Sequence, residues 1–184
     1  MNRTGYEQKM TFRSDHQADS GSRETAFRTR KARIVVIGLG YVGLPLALAL
    51  VAAGFPTVGF DIDPGKTDAL NAGRSYIRQI GDDRVAAALS TGLFKATPDT
   101  AVIADADAVI ICVPTPLTAQ REPDLSFVVA TAQMIRNHLR RGQLVVLEST
   151  TYPGTTEEVV RPILEEAGLR SGHDFFLAYS PERE

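Results

Sequence analysis

The sequence has one cysteine, no tryptophan and no long apolar run. A single cysteine among 184 residues excludes an internal disulfide framework, and this is typical of proteins of a reducing compartment. The longest apolar stretch, 42–55, is shorter than a membrane-spanning helix and is interrupted by Pro45 and Gly54. We therefore expect a soluble, cytoplasmic protein that does not enter a membrane.

An excess of charge of one sign is also missing, because acids and bases nearly balance at a net charge of −2. Such a balance provides no excess of positive charge that would attract nucleic acid or an anionic membrane. Hydrophobic residues (43%) and charged residues (23%) occur at ordinary globular levels, and 184 residues can bury one sizeable core. Composition thus predicts one globular domain with neither nucleic acid nor membrane as a partner.

The first 32 residues contain few large apolar side chains and no periodic apolar face. We interpret 1–32 as a disordered leader. Acidic residues within it and the lack of an apolar centre argue against a secretory signal or a transit peptide. Because residues 1–32 carry a net positive charge, a nucleic-acid-binding arm is an alternative interpretation, which we favour less.

A glycine-rich motif at 38–43 follows a buried-strand pattern and opens an apolar helical pattern. Gly38 permits a tight turn, Gly40 lets a pyrophosphate approach the backbone, and Gly43 allows close packing of helix on strand. Asp61 ends the next strand about 20 residues later, where a carboxylate accepts hydrogen bonds from ribose hydroxyls. The pattern predicts a dinucleotide site, and the charge of Asp61 favours NAD over a 2′-phosphorylated cofactor.

Strand and helix patterns alternate along 33–184. The apolar run at 108–113 is typical of a parallel strand that is buried on both faces. A helix is expected over 126–139, and Thr155 with Glu158 predicts a capping box for a later helix. The alternation predicts an α/β fold over 33–184, a Rossmann-type doubly wound parallel sheet in three layers, α/β/α, with at least five parallel strands.

Polar side chains follow three of the predicted strands, namely Thr115, then Ser149 with Thr150, then Glu182. Because the carboxyl ends of parallel strands meet at one edge of the sheet, we expect these groups to converge with the glycine motif. Such a convergence of polar groups is what an active-site crevice requires.

The sequence resembles the amino-terminal domain of the UDP-glucose/GDP-mannose 6-dehydrogenase family from about Arg33 onward. The resemblance is carried by Gly-Leu-Gly-Tyr-Val-Gly-Leu-Pro at 38–45, Phe-Asp-Ile-Asp at 60–63, Val-Pro-Thr-Pro at 113–116, Glu-Ser-Thr at 148–150 and Ser-Pro-Glu at 180–182. The segments 71–77, 121–126 and 180–184 are most similar to the UDP-N-acetylglucosamine branch. UDP-glucose enzymes typically have Phe-Leu where this chain has Arg183-Glu184.

The resemblance implies oxidation of the C6 hydroxyl of a UDP-sugar to a uronic acid with two NAD+, in polysaccharide biosynthesis. By the same resemblance, Thr150 helps to hold the catalytic water and Glu182 takes part in thioester hydrolysis. The candidate catalytic residues are Thr150 and Glu182, with no metal expected, and the candidate cofactor-binding residues are Gly38, Gly40, Tyr41, Val42, Gly43, Asp61, Lys66, Val113, Thr115, Ser149 and Thr150. Lys66 is either a neighbour of the adenosine end or a solvated side chain.

The family's nucleophilic cysteine belongs to a further carboxy-terminal domain, and the resemblance implies that it lies beyond residue 184. Cys112 is no substitute, because a thiol in an apolar strand is normally inert. His16, His138 and His173 are interpreted as surface histidines. We therefore expect this chain alone to bind NAD without turning over a UDP-sugar; a free-standing NAD-binding regulatory or assembly module is the alternative, and a dehydrogenase of the 3-hydroxyacid type ranks last.

Overall fold

The computed structural model describes residues 21, 24–117 and 123–181. Six parallel strands form one sheet in the order β3-β2-β1-β4-β5-β6. The strands are β1 (Ile34–Ile37), β2 (Thr57–Phe60), β3 (Phe94–Thr97), β4 (Ala108–Ile111), β5 (Leu144–Leu147) and β6 (Phe176–Tyr179). This order reverses direction at β1, so the predicted doubly wound parallel sheet is confirmed.

The central strand β1 is buried on both faces. Ile34 and Val36 belong to a core cluster on one face, and Val35 and Ile37 belong to a second cluster on the other. Successive side chains of a strand point to opposite faces, which is why an unbroken apolar run serves both layers. The sheet is therefore the middle layer of an α/β/α arrangement.

Helices pack on both faces of the sheet. They are α1 (Gly43–Ala52), α2 (Pro64–Asn71), α3 (Asp82–Ser90), α4 (Ser126–Arg136) and α5 (Arg161–Glu165), with a 3₁₀ turn at Thr100–Asp105. The Asp63 carboxylate caps α2 by accepting from the Gly65 N–H at 2.8 Å. Within the described ranges, no helix is long and apolar enough to cross a bilayer.

Two predicted boundaries and the predicted capping box are wrong. Strand β4 ends at Ile111, two residues early, and α4 ends at Arg136 rather than at residue 139. The capping box is absent because the Thr155 hydroxyl donates to the Tyr152 carbonyl, and residues Thr155–Val160 form a π-helix. The Thr155 N–H also donates to the Tyr152 carbonyl, at 3.3 Å, so both polar groups bond to the preceding turn.

The expected disordered leader is only partly within the described residues. Residues 24–28 are helical, Phe27 packs against the first core cluster, and Ala32 is fully buried. The prediction of disorder is therefore wrong for 24–32, where apolar contacts with the domain order the chain. Residues 1–20, 22 and 23 lie outside the described residues.

Asp174 anchors the chain just before the edge strand β6. Its buried carboxylate accepts from the Arg170 N–H at 2.9 Å, from His173 Nδ1 at 3.0 Å and from the Arg141 guanidinium. The backbone hydrogen bond from Arg170 is the largest cause that lowers the pKa of Asp174 to about 2. The charged carboxylate is thus the form that this loop stabilises.

We expect the urea midpoint of unfolding to fall as pH drops from about 4 to about 2. The folded-state pKa of Asp174 is depressed, so its contribution is complete above the unfolded pKa near 3.8 and is lost as pH falls through the folded value. The Asp174→Asn variant should show a lower midpoint at neutral pH and a smaller fall across this window. An acid transition as steep in the variant as in the wild type would contradict the assignment.

Candidate cofactor site

The glycine turn between β1 and α1 is built on the backbone of residues that follow β4. Gly38 has a φ of +90°, and a Cβ there would lie 2.6 Å from the Cys112 carbonyl oxygen. A Cβ on Gly43 would lie 1.8 Å from the Gly38 carbonyl oxygen. Both positions are closed to larger residues by the protein's own main chain, as the motif predicts.

Gly40 differs from the other two glycines of the motif. A Cβ on Gly40 would meet no atom within 4 Å, and the structure gives no internal reason for glycine there. The space that a side chain would fill belongs to a cavity of about 270 Å³ that Gly40 lines. An open cradle at the amino terminus of a helix fits the pyrophosphate of a dinucleotide, because the first N–H groups of a helix favour anions.

Asp61 is buried and occupies the end of β2. Its Oδ2 accepts from the Leu39 N–H at 3.0 Å and lies 3.1 Å from Lys66 Nζ, and its Oδ1 accepts from the Asp63 N–H at 3.0 Å. The carboxylate therefore holds the glycine turn in place as well as lining the cavity. The sequence motif predicted the position of this acid but not its bond to the turn.

Tyr76 approaches the same turn from the loop after α2. Its hydroxyl donates to the Leu39 carbonyl oxygen at 2.6 Å, and Lys66 Nζ lies 5.8 Å from the centre of its ring. Burial raises the pKa of Tyr76 well above its ordinary value, and the nearby charges of Asp61 and Asp63 raise it further. The hydroxyl is therefore protonated and able to donate throughout the physiological range.

Two hydroxyl groups join the loops that follow β4 and β5. Ser149 Oγ donates to the Val113 carbonyl at 2.9 Å, and Thr115 Oγ1 donates to the Thr150 carbonyl at 2.5 Å. These bonds hold the two loops side by side at the carboxyl edge of the sheet. Ser149 and Thr115, predicted as cofactor neighbours, thus also fix the wall of the crevice.

The cavity of about 270 Å³ brings together most of the predicted cofactor-binding residues. It is lined by Gly38, Gly40, Tyr41, Val42, Asp61, Lys66, Val113, Thr115, Ser149 and Thr150, together with Cys112, Pro114 and Glu148. Of the predicted cofactor-binding residues, Gly43 alone does not line this cavity, because it is buried beneath the turn. Glu182 lies outside the described residues.

An adjoining apolar cavity of about 360 Å³ shares five lining residues with the first, namely Gly38, Asp61, Lys66, Val113 and Pro114. Its far wall comes from α4 and includes Phe127, whose side chain is 46% exposed. Phe127 is exposed because its face of the helix borders the crevice. Sequence reasoning missed this wall, although an aromatic residue in the first turn of a helix on the cofactor side was the available signal.

The cysteine is buried, and the two histidines among the described residues contact other side chains. Cys112 is 7% exposed and belongs to the first core cluster, although it borders the floor of the cavity. His138 is half-buried, with Nε2 3.1 Å from the Thr100 hydroxyl, and His173 contacts Asp174. Among the described residues, no group of three or more His, Cys, Asp or Glu side chains could hold a metal ion.

A family model for the NAD-binding domain of UDP-glucose/GDP-mannose dehydrogenases matches residues 32–184. The chain belongs to the UDP-glucose/GDP-mannose dehydrogenase family. The resemblance noted from the motifs is thereby confirmed, and the crevice between glycine turn and Asp61 is part of an NAD-binding domain. NAD is the cofactor of this domain in the family.

Curated relatives in the dehydrogenase family act on several sugars. UDP-N-acetyl-D-mannosamine dehydrogenase of Pyrococcus horikoshii is 40% identical and UDP-N-acetyl-D-glucosamine 6-dehydrogenase of Pseudomonas aeruginosa is 38% identical, each over 82% of this chain. The match covers 36% and 35% of those two proteins. The chain therefore spans about a third of the length of the curated relatives that it matches.

Solved structures of the dehydrogenase family have the same fold. A ternary complex of GDP-mannose dehydrogenase from Pseudomonas aeruginosa superimposes with a TM-score of 0.79 at 34% identity, over 82% of this chain and 36% of that one. The P. horikoshii UDP-N-acetylmannosamine enzyme superimposes with a TM-score of 0.77 at 40% identity, over 83% of this chain and 36% of that one.

Proposed function

We propose that this chain is the NAD-binding part of a nucleotide-sugar 6-dehydrogenase that oxidises C6 of a UDP-N-acetylhexosamine to the uronic acid. The observation that carries the proposal is the joint presence of a family match over 32–184 and a crevice that assembles the motif residues. In such an enzyme the bound NAD+ accepts the hydride from the sugar. The residues of this chain bind and orient the cofactor.

The pyrophosphate is proposed to lie over Gly40 at the amino terminus of α1, with Tyr41 and Val42 beside it. The open space above Gly40 is large enough for a charged group to reach the backbone N–H groups. No acidic side chain occupies the first turn of α1 to compete with that charge. Helix dipole and turn therefore favour an anion at this point.

The adenosine ribose is proposed to bind Asp61. A carboxylate offers about four lone-pair positions. Oδ2 already takes the Leu39 N–H and Lys66, whereas Oδ1 takes only the Asp63 N–H. One ribose hydroxyl can therefore donate to Oδ1 directly, and the other displaces Lys66 from Oδ2.

The proposed positions of the adenine ring and the nicotinamide follow from this placement of the ribose and the pyrophosphate. The apolar cavity beside Phe127 and Ile62 suits the adenine ring, since an aromatic base gains most from burial against apolar faces. The nicotinamide end then points toward Thr115, Ser149 and Thr150, where the loops after β4 and β5 meet. Thr150 remains our candidate for holding the catalytic water, and Glu182 remains our candidate for a part in thioester hydrolysis.

The substrate class rests on the relatives and on the branch-specific segments of the sequence. Relatives that are 36–41% identical include enzymes for N-acetylmannosamine, N-acetylglucosamine and N-acetylgalactosaminuronic acid nucleotides. What they share is an N-acetylated hexosamine on a nucleoside diphosphate. We propose that class for the whole protein, with UDP-N-acetylglucosamine as the first candidate and UDP-glucose as the alternative.

Calorimetric titration of this chain with NAD+, NADP+ and UDP-N-acetylglucosamine tests the proposal. We expect NAD+ to bind, NADP+ to bind at least tenfold more weakly because its 2′-phosphate approaches Asp61, and the sugar nucleotide not to bind alone. We also expect no NADH from this chain with any UDP-sugar. Failure to bind NAD+, or NADH production by the chain alone, would overturn the proposed role.

A further inference from the structure

The Leu39–Gly40 peptide is held on both sides by side chains from distant parts of the chain. The Leu39 N–H donates to Asp61 Oδ2 at 3.0 Å, and the Leu39 carbonyl accepts from the Tyr76 hydroxyl at 2.6 Å. The Leu39 side chain is fully buried and fills the space above Gly59, where a Cβ would lie 2.8 Å from Leu39 Cδ2. Residue 39 is therefore fixed by its N–H, its carbonyl and its side chain.

The carbonyl of Leu39 and the N–H of Gly40 belong to one planar trans peptide group. In a trans peptide the C=O and N–H bonds point in opposite directions, so a donor that fixes the carbonyl also fixes the N–H. None of the hydrogen bonds found among the described residues has the Gly40 N–H as its donor. Gly40 lines the 270 Å³ cavity, whereas Tyr76 is not among the residues that line it.

We propose that Tyr76 is a positioning residue for the cofactor, whose hydroxyl orients the Leu39–Gly40 peptide so that the Gly40 N–H points at the pyrophosphate. The inference rests on the proposed function, because it assigns Tyr76 to the same NAD crevice. A hydrogen bond accepted by the carbonyl also polarises the peptide and makes its N–H a stronger donor. Tyr76 thus acts through the backbone and touches no part of the cofactor.

Lys66 strengthens the case that the tyrosine ring is held in one place. Its ammonium group lies 3.1 Å from Asp61 Oδ2 and 5.8 Å from the centre of the Tyr76 ring, so one cation bridges acid and aromatic face. The ring keeps this contact when the hydroxyl is removed. The variant Tyr76→Phe therefore isolates the hydroxyl, which is the group that the proposal concerns.

The matched control is Tyr179→Phe. Tyr179 is a similarly exposed tyrosine on β6, outside both cavities of the crevice, and no hydrogen bond found among the described residues uses its hydroxyl. Both variants remove one oxygen atom and keep the ring. A difference between them reports on the bond to Leu39 and not on the loss of a hydroxyl in general.

The first measurement uses no ligand. In ¹⁵N–¹H spectra we expect Tyr76→Phe to move the Gly40 amide resonance upfield, because the peptide is less polarised without this hydrogen bond, while Tyr179→Phe leaves the resonance unchanged. An unchanged Gly40 amide in Tyr76→Phe would overturn the inference. This result is independent of NAD+ binding, so it separates failure of the inference from failure of the proposed function.

The second measurement compares two ligands by calorimetry. We expect Tyr76→Phe to weaken NAD+ binding by about 3- to 10-fold, which corresponds to a neutral hydrogen bond of about 0.5–1.5 kcal/mol. Adenosine lacks the pyrophosphate, and its affinity should not change. Equal losses for NAD+ and adenosine would show a general disturbance of the crevice and would overturn the positioning role, as would an unchanged NAD+ affinity.

Discussion

Asp61→Asn is expected to weaken NAD+ binding by about 10- to 100-fold. A hydrogen bond to a charged group contributes about 1.5–3 kcal/mol, and each 1.4 kcal/mol is tenfold in affinity. The asparagine keeps the shape of the side chain but replaces one acceptor oxygen by an N–H₂ group. It then faces either the Leu39 N–H or the Asp63 N–H donor to donor, and it no longer pairs with Lys66.

The same substitution also lowers stability, because a buried N–H loses its acceptor at a cost of about 1–3 kcal/mol. Affinity must therefore be measured by calorimetry well below the melting temperature of the variant. Asp63→Asn is the matched control, since Asp63 lies two residues away, is exposed and caps α2, a task that asparagine performs equally well. NAD+ affinity that is unchanged in Asp61→Asn would refute the ribose assignment.

Gly43→Ala is expected to lower the stability of the fold, whereas Gly40→Ala is expected to lower NAD+ affinity. The new Cβ at residue 43 would lie 1.8 Å from the Gly38 carbonyl oxygen, and main chain must move to admit it. The cost lies at or above the top of the roughly 1–3 kcal/mol range for overpacking. At about 2–4 °C per kcal/mol for a domain of this size, the melting temperature should fall by about 6–12 °C or more.

Gly40→Ala adds a methyl group to open space, so its stability should stay within about 0.5 kcal/mol of the wild type. NAD+ affinity should fall at least tenfold, because the methyl group occupies the approach of the pyrophosphate. Thermal melting and calorimetry on the two variants together separate folding from binding. A Gly40→Ala variant with a clearly lower melting temperature, or with unchanged NAD+ affinity, would contradict the proposed pyrophosphate site over Gly40.

The fold was predictable because its signals are local. Unbroken apolar runs predict strands buried on both faces, and the glycine motif predicts the turn between β1 and α1. The spacing to Asp61 predicted the acid at the end of β2, which the structure confirms. These features depend on residues that are close in the sequence, where propensity and spacing are most informative.

The parts that sequence reasoning missed depend on contacts between distant residues. Tyr76 lies in a loop without periodicity, and nothing local indicates that its hydroxyl reaches Leu39, 37 residues away. The π-helix at Thr155–Val160 replaced a capping box because Thr155 bonds backward to Tyr152. Phe127 has helical spacing with the core residues of α4, yet its side chain borders the apolar cavity and is 46% exposed.

The floor of the glycine turn has a consequence for synthesis of the protein on the ribosome. Gly38 packs against the carbonyl of Cys112, so this contact forms only after residue 112, 74 positions later, has been made and lies beside β1. At translation rates of about 5–20 residues per second this delay is about 4–15 s. A nascent chain that ends before β4 therefore has the glycine motif but no nucleotide site, and NAD+ can stabilise the domain only after the centre of the sheet is assembled.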